Sequence, residues 1–97
     1  MSAYAIGHIT VNDPDGYGTY TAQVPGTLAP HGGEFLVRGG RTTVMEGDMP
    51  RDRHVVIRFP DRAAAEAWYN SPEYQAIIPI RQAHSTGVLM IADGFDG

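Results

Sequence analysis

One segment constrains this chain more than any other: a strict period-two run from Ala3 to Val11 that passes without a spacer into a helix-start signal. Tyr4, Ile6, His8 and Thr10 fall on one side of the run, and Ala5, Gly7, Ile9 and Val11 on the other. That is the period of a β-strand. One face carries polar groups and the other small apolar ones. In Asn12-Asp13-Pro14-Asp15, Asp13 is the expected cap for the free amides, Pro14 suits the first helical position, and Asp15 complements the positive end of the dipole. Tyr17, Tyr20, Val24 and Leu28 follow at helical spacing as one apolar stripe. Gly16, Gly18, Pro25 and Gly26 weaken that helix, and Pro25 is expected to kink it. A bent helix ending before His31-Gly32-Gly33 is predicted, because glycine permits the reversal.

Glu34 to Arg38 reads as a second strand, Gly39-Gly40 as a tight turn and Arg41 to Glu46 as the partner strand of a hairpin. Gly47 to Asp52 is then a loop. Alternation returns from His54 to Phe59, with Val55, Ile57 and Phe59 facing one way and His54, Val56 and Arg58 the other. Pro60-Asp61 ends this strand and caps a helix from Arg62 to Tyr69, with Ala64 and Trp68 on one face. Ser71-Pro72-Glu73 repeats the start signal and predicts a short separate helix carrying Tyr74, Ile77 and Ile78 until Pro79. Thr86 to Ala92 is apolar on both sides, which predicts a strand covered on both faces. Asp93 to Gly97 is expected to fray.

This order is a split β-α-β pattern, an α+β fold of the ferredoxin-like kind with an antiparallel sheet and helices on one face. The uncovered face should then hold Tyr4, Ile6, His8, Leu36, Val56 and either Met90 or Leu89. That set is too apolar for water, so a homodimer packed sheet to sheet is expected. Ninety-seven residues suit one domain, spanning 1–97. No apolar run approaches the roughly 20 residues of a membrane helix, and no basic leader precedes Tyr4, so no membrane association and a cytoplasmic location are expected. The net charge of −4 argues against nucleic acid as a partner. The absence of cysteine removes disulfides, thiolate nucleophiles and cysteine-held metals. All seven basic residues are arginine. Lysine chemistry is thereby excluded, while guanidinium forks that bind carboxylates or enolates remain available.

These elements resemble the domain of unknown function 1330 family, within the dimeric α/β-barrel superfamily. The likeness is carried by Tyr17 and Tyr20, Pro25, His31-Gly32-Gly33, Val37-Arg38-Gly39-Gly40, Glu46-Gly47, Val55 to Pro60, Ala67-Trp68-Tyr69 and Ser71-Pro72-Glu73-Tyr74-Gln75. It runs over nearly the whole chain. Asp61 departs from a frequent serine, and Gly16 and Gly18 make the first helix poorer than is usual. The resemblance implies a ferredoxin-like subunit that dimerises sheet to sheet and encloses a cavity between sheet and helices, and it implies no particular reaction. Proteins on the same fold include cofactor-independent quinol monooxygenases, muconolactone-type isomerases and haem-degrading proteins, a breadth that keeps fold from deciding function.

Two residues are candidates for catalysis. His31, in its glycine-flanked turn, is the candidate to move a proton, against the reading of a helix-end histidine bonding the last carbonyls. Arg38, at a strand end before two glycines, is the candidate to hold an anionic oxygen, against the reading of a solvated or acid-paired hairpin residue. Tyr17, Tyr20, Trp68 and Tyr69 are candidate ligand-binding rings, and with Tyr74 they line helix faces where one or two polar tips would point into a pocket, core packing being the alternative. Glu46 and Arg58 complete the candidate set. Glu46 is placed to pair with Arg38 unless a two-residue turn sets Arg41 opposite it, and Arg58 on the inner face is expected to meet a partner acid at the dimer rim. His8, His31, His54 and His84 have no short spacing between them, so no metal site is expected. No phosphate loop, dinucleotide loop or nucleophile elbow is present, so no cofactor is expected either. The expectation is a homodimer that binds a small aromatic or carboxylate-bearing metabolite, its catalytic form being cofactor-independent proton transfer or monooxygenation. The alternatives are a non-catalytic ligand-binding or stress-associated module, and a haem-binding protein.

Overall fold

The computed structural model describes residues 1–95. Strand β1 (Ala3–Val11) leads into helices α1 (Pro14–Thr21) and α2 (Val24–Leu28) and a 3-10 turn (Ala29–His31). Strands β2 (Glu34–Arg38) and β3 (Arg53–Phe59), helices α3 (Arg62–Tyr69) and α4 (Pro72–His84), and strand β4 (Ser85–Asp93) follow. The strands form one antiparallel sheet in the order β2-β3-β1-β4, the ferredoxin-like arrangement. The period read from Ala3 to Val11 decides what faces the helices: Ala3, Ala5, Gly7 and Ile9 are buried, while Tyr4, Ile6, His8 and Thr10 are half-exposed. Among the described residues no helix is long and apolar enough to cross a membrane.

Several expectations are corrected. Arg41 to Glu46 is not a strand. It lies in the exposed loop of residues 39–52, and β2 takes β3 as its hairpin partner. Segment 53–59 wins this place because its alternation buries Ile57 and Phe59 against the helices, a gain that Arg41 to Glu46 cannot match. A bulge between Phe35 and Val37 then turns Arg38 to the helix side, opposite Val55. The first helix is broken into two rather than bent, with Pro25 in the first turn of α2 instead of at a kink. Helix α4 runs through Pro79 to His84, because Tyr74, Ile77 and Ile78 bury on the core and hold the axis in place. Asp13 makes no side-chain cap; its carboxylate lies 3.3 Å from the His84 imidazole, and the amides of Asn12 and Asp13 donate to the His84 carbonyl. Gly16 allows that approach, since a Cβ there would sit 2.5 Å from the His84 ring. Asp93 belongs to β4 and the Gly94 amide donates to the Ser2 carbonyl at 2.7 Å, so fraying does not start there. The rest of that expectation, on residues 96 and 97, lies outside the described residues.

Other signals act as read. Asp61 accepts from the Ala64 amide at 2.7 Å and Ser71 from the Tyr74 amide at 3.2 Å, capping α3 and α4. Gly32 takes the left-handed conformation, at φ 71°, that ends the 3-10 turn. The core centres on Phe59, Trp68 and Tyr74, with the Trp68 and Tyr74 rings 4.1 Å apart between centroids. The indole N–H of Trp68 donates to Thr27 Oγ1, which itself donates to the Val24 carbonyl, so the buried polar tips are satisfied. Strand β4 is covered on one face in this chain. Leu89 and Ile91 pack on the core, while Val88 and Met90 on the sheet's open side are 53% and 46% exposed.

Candidate functional site

Between the sheet and helices α1 and α4 lies a narrow cavity of about 40 Å³. Its walls are apolar and aromatic: Tyr17, Tyr20, Val24, Phe35, Ile57, Trp68 and Tyr74 contribute. Three arginines, Arg38, Arg53 and Arg81, contribute to the same space, and none of its lining residues is acidic. A shallow groove of about 590 Å³ adjoins it and shares Tyr17, Thr21, Arg38 and Arg53, so these four residues form the junction. A second cleft, of about 220 Å³, shares Ile9, Arg81 and Leu89 at the other end. The cavity as it stands holds a water or two. A pocket for a metabolite takes a few hundred Å³, a volume that only the cavity and the adjoining groove together offer.

Each cation has a distinct setting. The Arg38 guanidinium stacks 4.5 Å from the Phe35 ring centroid and donates from Nη2 to the Thr21 carbonyl at 2.8 Å, which ties β2 to α1 across the junction. The Arg53 guanidinium lies 5.5 Å from the Tyr17 ring centroid, and its Nε is buried without a hydrogen-bond partner. An unmet N–H on a cation in an apolar wall is costly. Tyr20 and Tyr74 meet hydroxyl to hydroxyl at 2.7 Å. Burial, then the neighbouring Tyr74 ring and hydroxyl, hold the Tyr20 phenol far above the usual range. Burial does the same for Tyr74, opposed by the hydrogen bond from Tyr20 and by the Arg81 charge. Both phenols therefore remain protonated and neutral at any physiological pH.

The fold brings together Arg38, Tyr17, Tyr20 and Trp68 from the residues singled out in the sequence. It does not bring His31, Glu46, Arg58 or Tyr69 to the cavity. His31 ends the 3-10 turn and is absent from the lining. Glu46 is exposed in the 39–52 loop, while Arg38 is engaged with Thr21. Arg58 stands on the open face and pairs with Glu34 of its own chain at 3.3 Å, so the acid it meets comes from the adjacent strand. Tyr69 packs against Trp68 and Tyr74 away from the lining. Tyr74, also among the rings singled out, lines the cavity, whereas sequence reading missed Arg53 and Arg81. For Arg53 the signal was present, since extending the alternation Val55, Ile57, Phe59 back by two positions reaches it. Arg81 lies seven residues beyond Tyr74, on the same helical face, but only for a helix that continues through Pro79.

Comparison with known proteins places the fold. A protein of unknown function from Rhodopseudomonas palustris superposes with a TM-score of 0.77 at 16% identity, over 99% of this chain and 84% of the other. SnoaB, a cofactor-independent oxygenase from Streptomyces nogalater, gives 0.69 at 16% identity, over 99% and 95%. A dimeric ferredoxin-like protein of unknown function from Jannaschia sp. gives 0.72 at 17% identity, over 97% and 100%. At such identities the likeness is one of fold. No curated protein matches the chain. The family described as Domain of unknown function (DUF1330) matches residues 2–95 of the 97, and the chain belongs to that family.

Proposed function

We propose that this protein binds a small anionic metabolite with an aromatic or otherwise flat apolar body, a carboxylate or an enolate, and that it does so as a homodimer. The observation that carries the reading is the buried, unpartnered Nε of Arg53 beside a cavity lined by three arginines and no acidic residue. An anion at the junction is met by Arg38 and Arg53, which outnumber the one acidic residue of the groove, Asp52; a turn of the Arg53 side chain brings its Nε to the ligand, and the apolar walls accept the rest of it. The dimer rests on the open sheet face, where Ile6, Val56, Val88 and Met90 form an apolar set, and agrees with the dimeric structural relative from Jannaschia sp.. A cofactor-independent reaction on the bound ligand is the second reading, favoured by the Tyr20–Tyr74 pair. One of its two hydroxyl protons lies between the oxygens and the other is free to stabilise a developing oxyanion. Neither reading assigns a proton transfer to His31.

The test is a thermal-shift screen of aromatic and aliphatic carboxylates on the wild type, Arg38→Ala and Arg53→Gln. A carboxylate at about 100 times its Kd stabilises by about 2.7 kcal/mol, and that gain should shrink in both variants. A wild-type melting temperature that no carboxylate raises overturns the binding reading. Light scattering at micromolar concentration should give twice the chain mass of 10.5 kDa; the mass of one chain overturns the dimer.

A further inference from the structure

His8 and His54 are 46 residues apart in the sequence, yet the β1–β3 register sets them directly opposite one another on the open face of the sheet. Their Nδ1 atoms are 2.8 Å apart and the rings meet edge to face, with centroids 5.0 Å apart and planes at 68°. One Nδ1 donates and the other accepts through its lone pair, so at least one ring of the pair is neutral. We propose that this cross-strand pair is a two-nitrogen site for a divalent transition-metal ion, with Cu2+ bound in preference to Ni2+ or Zn2+.

The geometry suits it. With a metal about 2.0–2.1 Å from each nitrogen, a right angle at the metal separates the nitrogens by about 2.9 Å and a tetrahedral angle by about 3.4 Å. The pair therefore opens by a few tenths of an ångström, through small ring rotations, to accept the ion in place of the shared proton. The right-angled geometry, which needs the smaller movement, is the one Cu2+ and Ni2+ favour, and the affinity order of divalent ions places Cu2+ first. Imidazole nitrogens also disfavour hard cations such as calcium and magnesium, which take oxygen ligands, and the open-face neighbours Ile6, Val56, Val88 and Thr10 offer no carboxylate. Arg51 stands near this face, its guanidinium donating to Thr10 Oγ1 at 3.3 Å, next along β1 on the same side as His8. The backbone scaffold is stiff, because both histidines sit within regular strands in the middle of the four-stranded sheet. Water completes the coordination in a single chain. In the dimer proposed above, this face meets a second copy, whose side chains or bound water then complete the coordination, and this last point alone rests on the dimer reading.

The test is calorimetric titration of the chain with Cu2+, Ni2+ and Zn2+ salts, alongside the visible absorption of the Cu2+ complex. Saturation at one Cu2+ per chain, or one per two chains, supports the proposal when His8→Ala and His54→Gln each weaken binding about a hundredfold or more, the chelate gain lost with one arm. His31→Ala and His84→Ala should leave binding unchanged, and circular dichroism confirms that each variant is folded. Binding should also weaken in acid, because the metal takes imidazole in its neutral form. Wild-type affinity no higher than that of the His8→Ala/His54→Gln double variant, or loss of binding in His31→Ala or His84→Ala instead, overturns it. Neither result bears on the anion cavity, which lies on the opposite face of the sheet.

Discussion

The Tyr20–Tyr74 hydroxyl pair offers a sharp test of how this core is held together. Tyr74 is fully buried and Tyr20 is 8% exposed, and their hydroxyls meet at 2.7 Å between α1 and α4. Removing one hydroxyl takes away a hydrogen bond worth about 0.5–1.5 kcal/mol net and leaves the other buried oxygen without its partner, for a total of about 1–3 kcal/mol. Removing both leaves two phenyl rings of unchanged shape in an apolar setting, which is close to neutral. Tyr20→Phe and Tyr74→Phe should therefore each destabilise by about 2 kcal/mol, and the double variant by less than either single one, giving a coupling energy of roughly 2–4 kcal/mol. The assay is urea unfolding of the four proteins at one fixed concentration, since a dimer's stability depends on concentration. In a chain of this size, each kcal/mol also shifts the melting temperature by about 4–8 °C. Additive losses, with the double variant worse than either single one, would refute the reasoning. They would mean that water in the adjoining cavity already satisfies each hydroxyl.

Two other predictions follow from the fold. Pro79 sits in the interior of α4, where a proline is about 3 kcal/mol less favourable than alanine, partly offset by its stiffening of the unfolded chain. Pro79→Ala should raise stability by about 1–2 kcal/mol, and an unchanged urea midpoint would show that the surrounding helix has already relaxed around the missing N–H. Of the five tyrosines, Tyr20 and Tyr74 have phenols raised above the unfolded value near 10, so the stability they confer is full below that pH and is lost as pH rises past it. In an alkaline titration followed by tyrosinate absorbance, these two should ionise only as the protein unfolds, and that late step should vanish in the Tyr20→Phe/Tyr74→Phe variant.

Particular residues show how much was legible beforehand. The faces of β1 and β3, the caps at Asp61 and Ser71 and the reversal at Gly32 were all readable, because each depends on a period or a hydrogen bond spanning a few residues. Of the residues that line the cavity, Arg38, Tyr17, Tyr20, Trp68 and Tyr74 were readable as chemistry-bearing side chains. His31 ends the 3-10 turn outside the cavity lining, since a glycine-flanked turn says where the chain reverses and not which side chains the reversal brings together. The Asp13 cap failed for a related reason. The carboxylate had a second partner, His84, brought to it from the far end of the chain.

By itself, then, the sequence determined the four strands of the sheet, the starts of α1, α3 and α4, the open apolar face and an arginine-based chemistry, since alternation, capping and composition are local properties. Tertiary structure decided what local properties leave degenerate. Whether β2 paired with 41–46 or 53–59 was a competition in buried apolar area, and only the assembled core could rank the two. The continuation of α4 through Pro79 was decided by the packing of Tyr74, Ile77 and Ile78, which outweighs one missing hydrogen bond. Those two outcomes carry Arg53 and Arg81 to the cavity beside Arg38, and the β1–β3 register brings His8 to His54. Each of these meetings joins residues distant in the chain, and such contacts exist only once the sheet has chosen its partners.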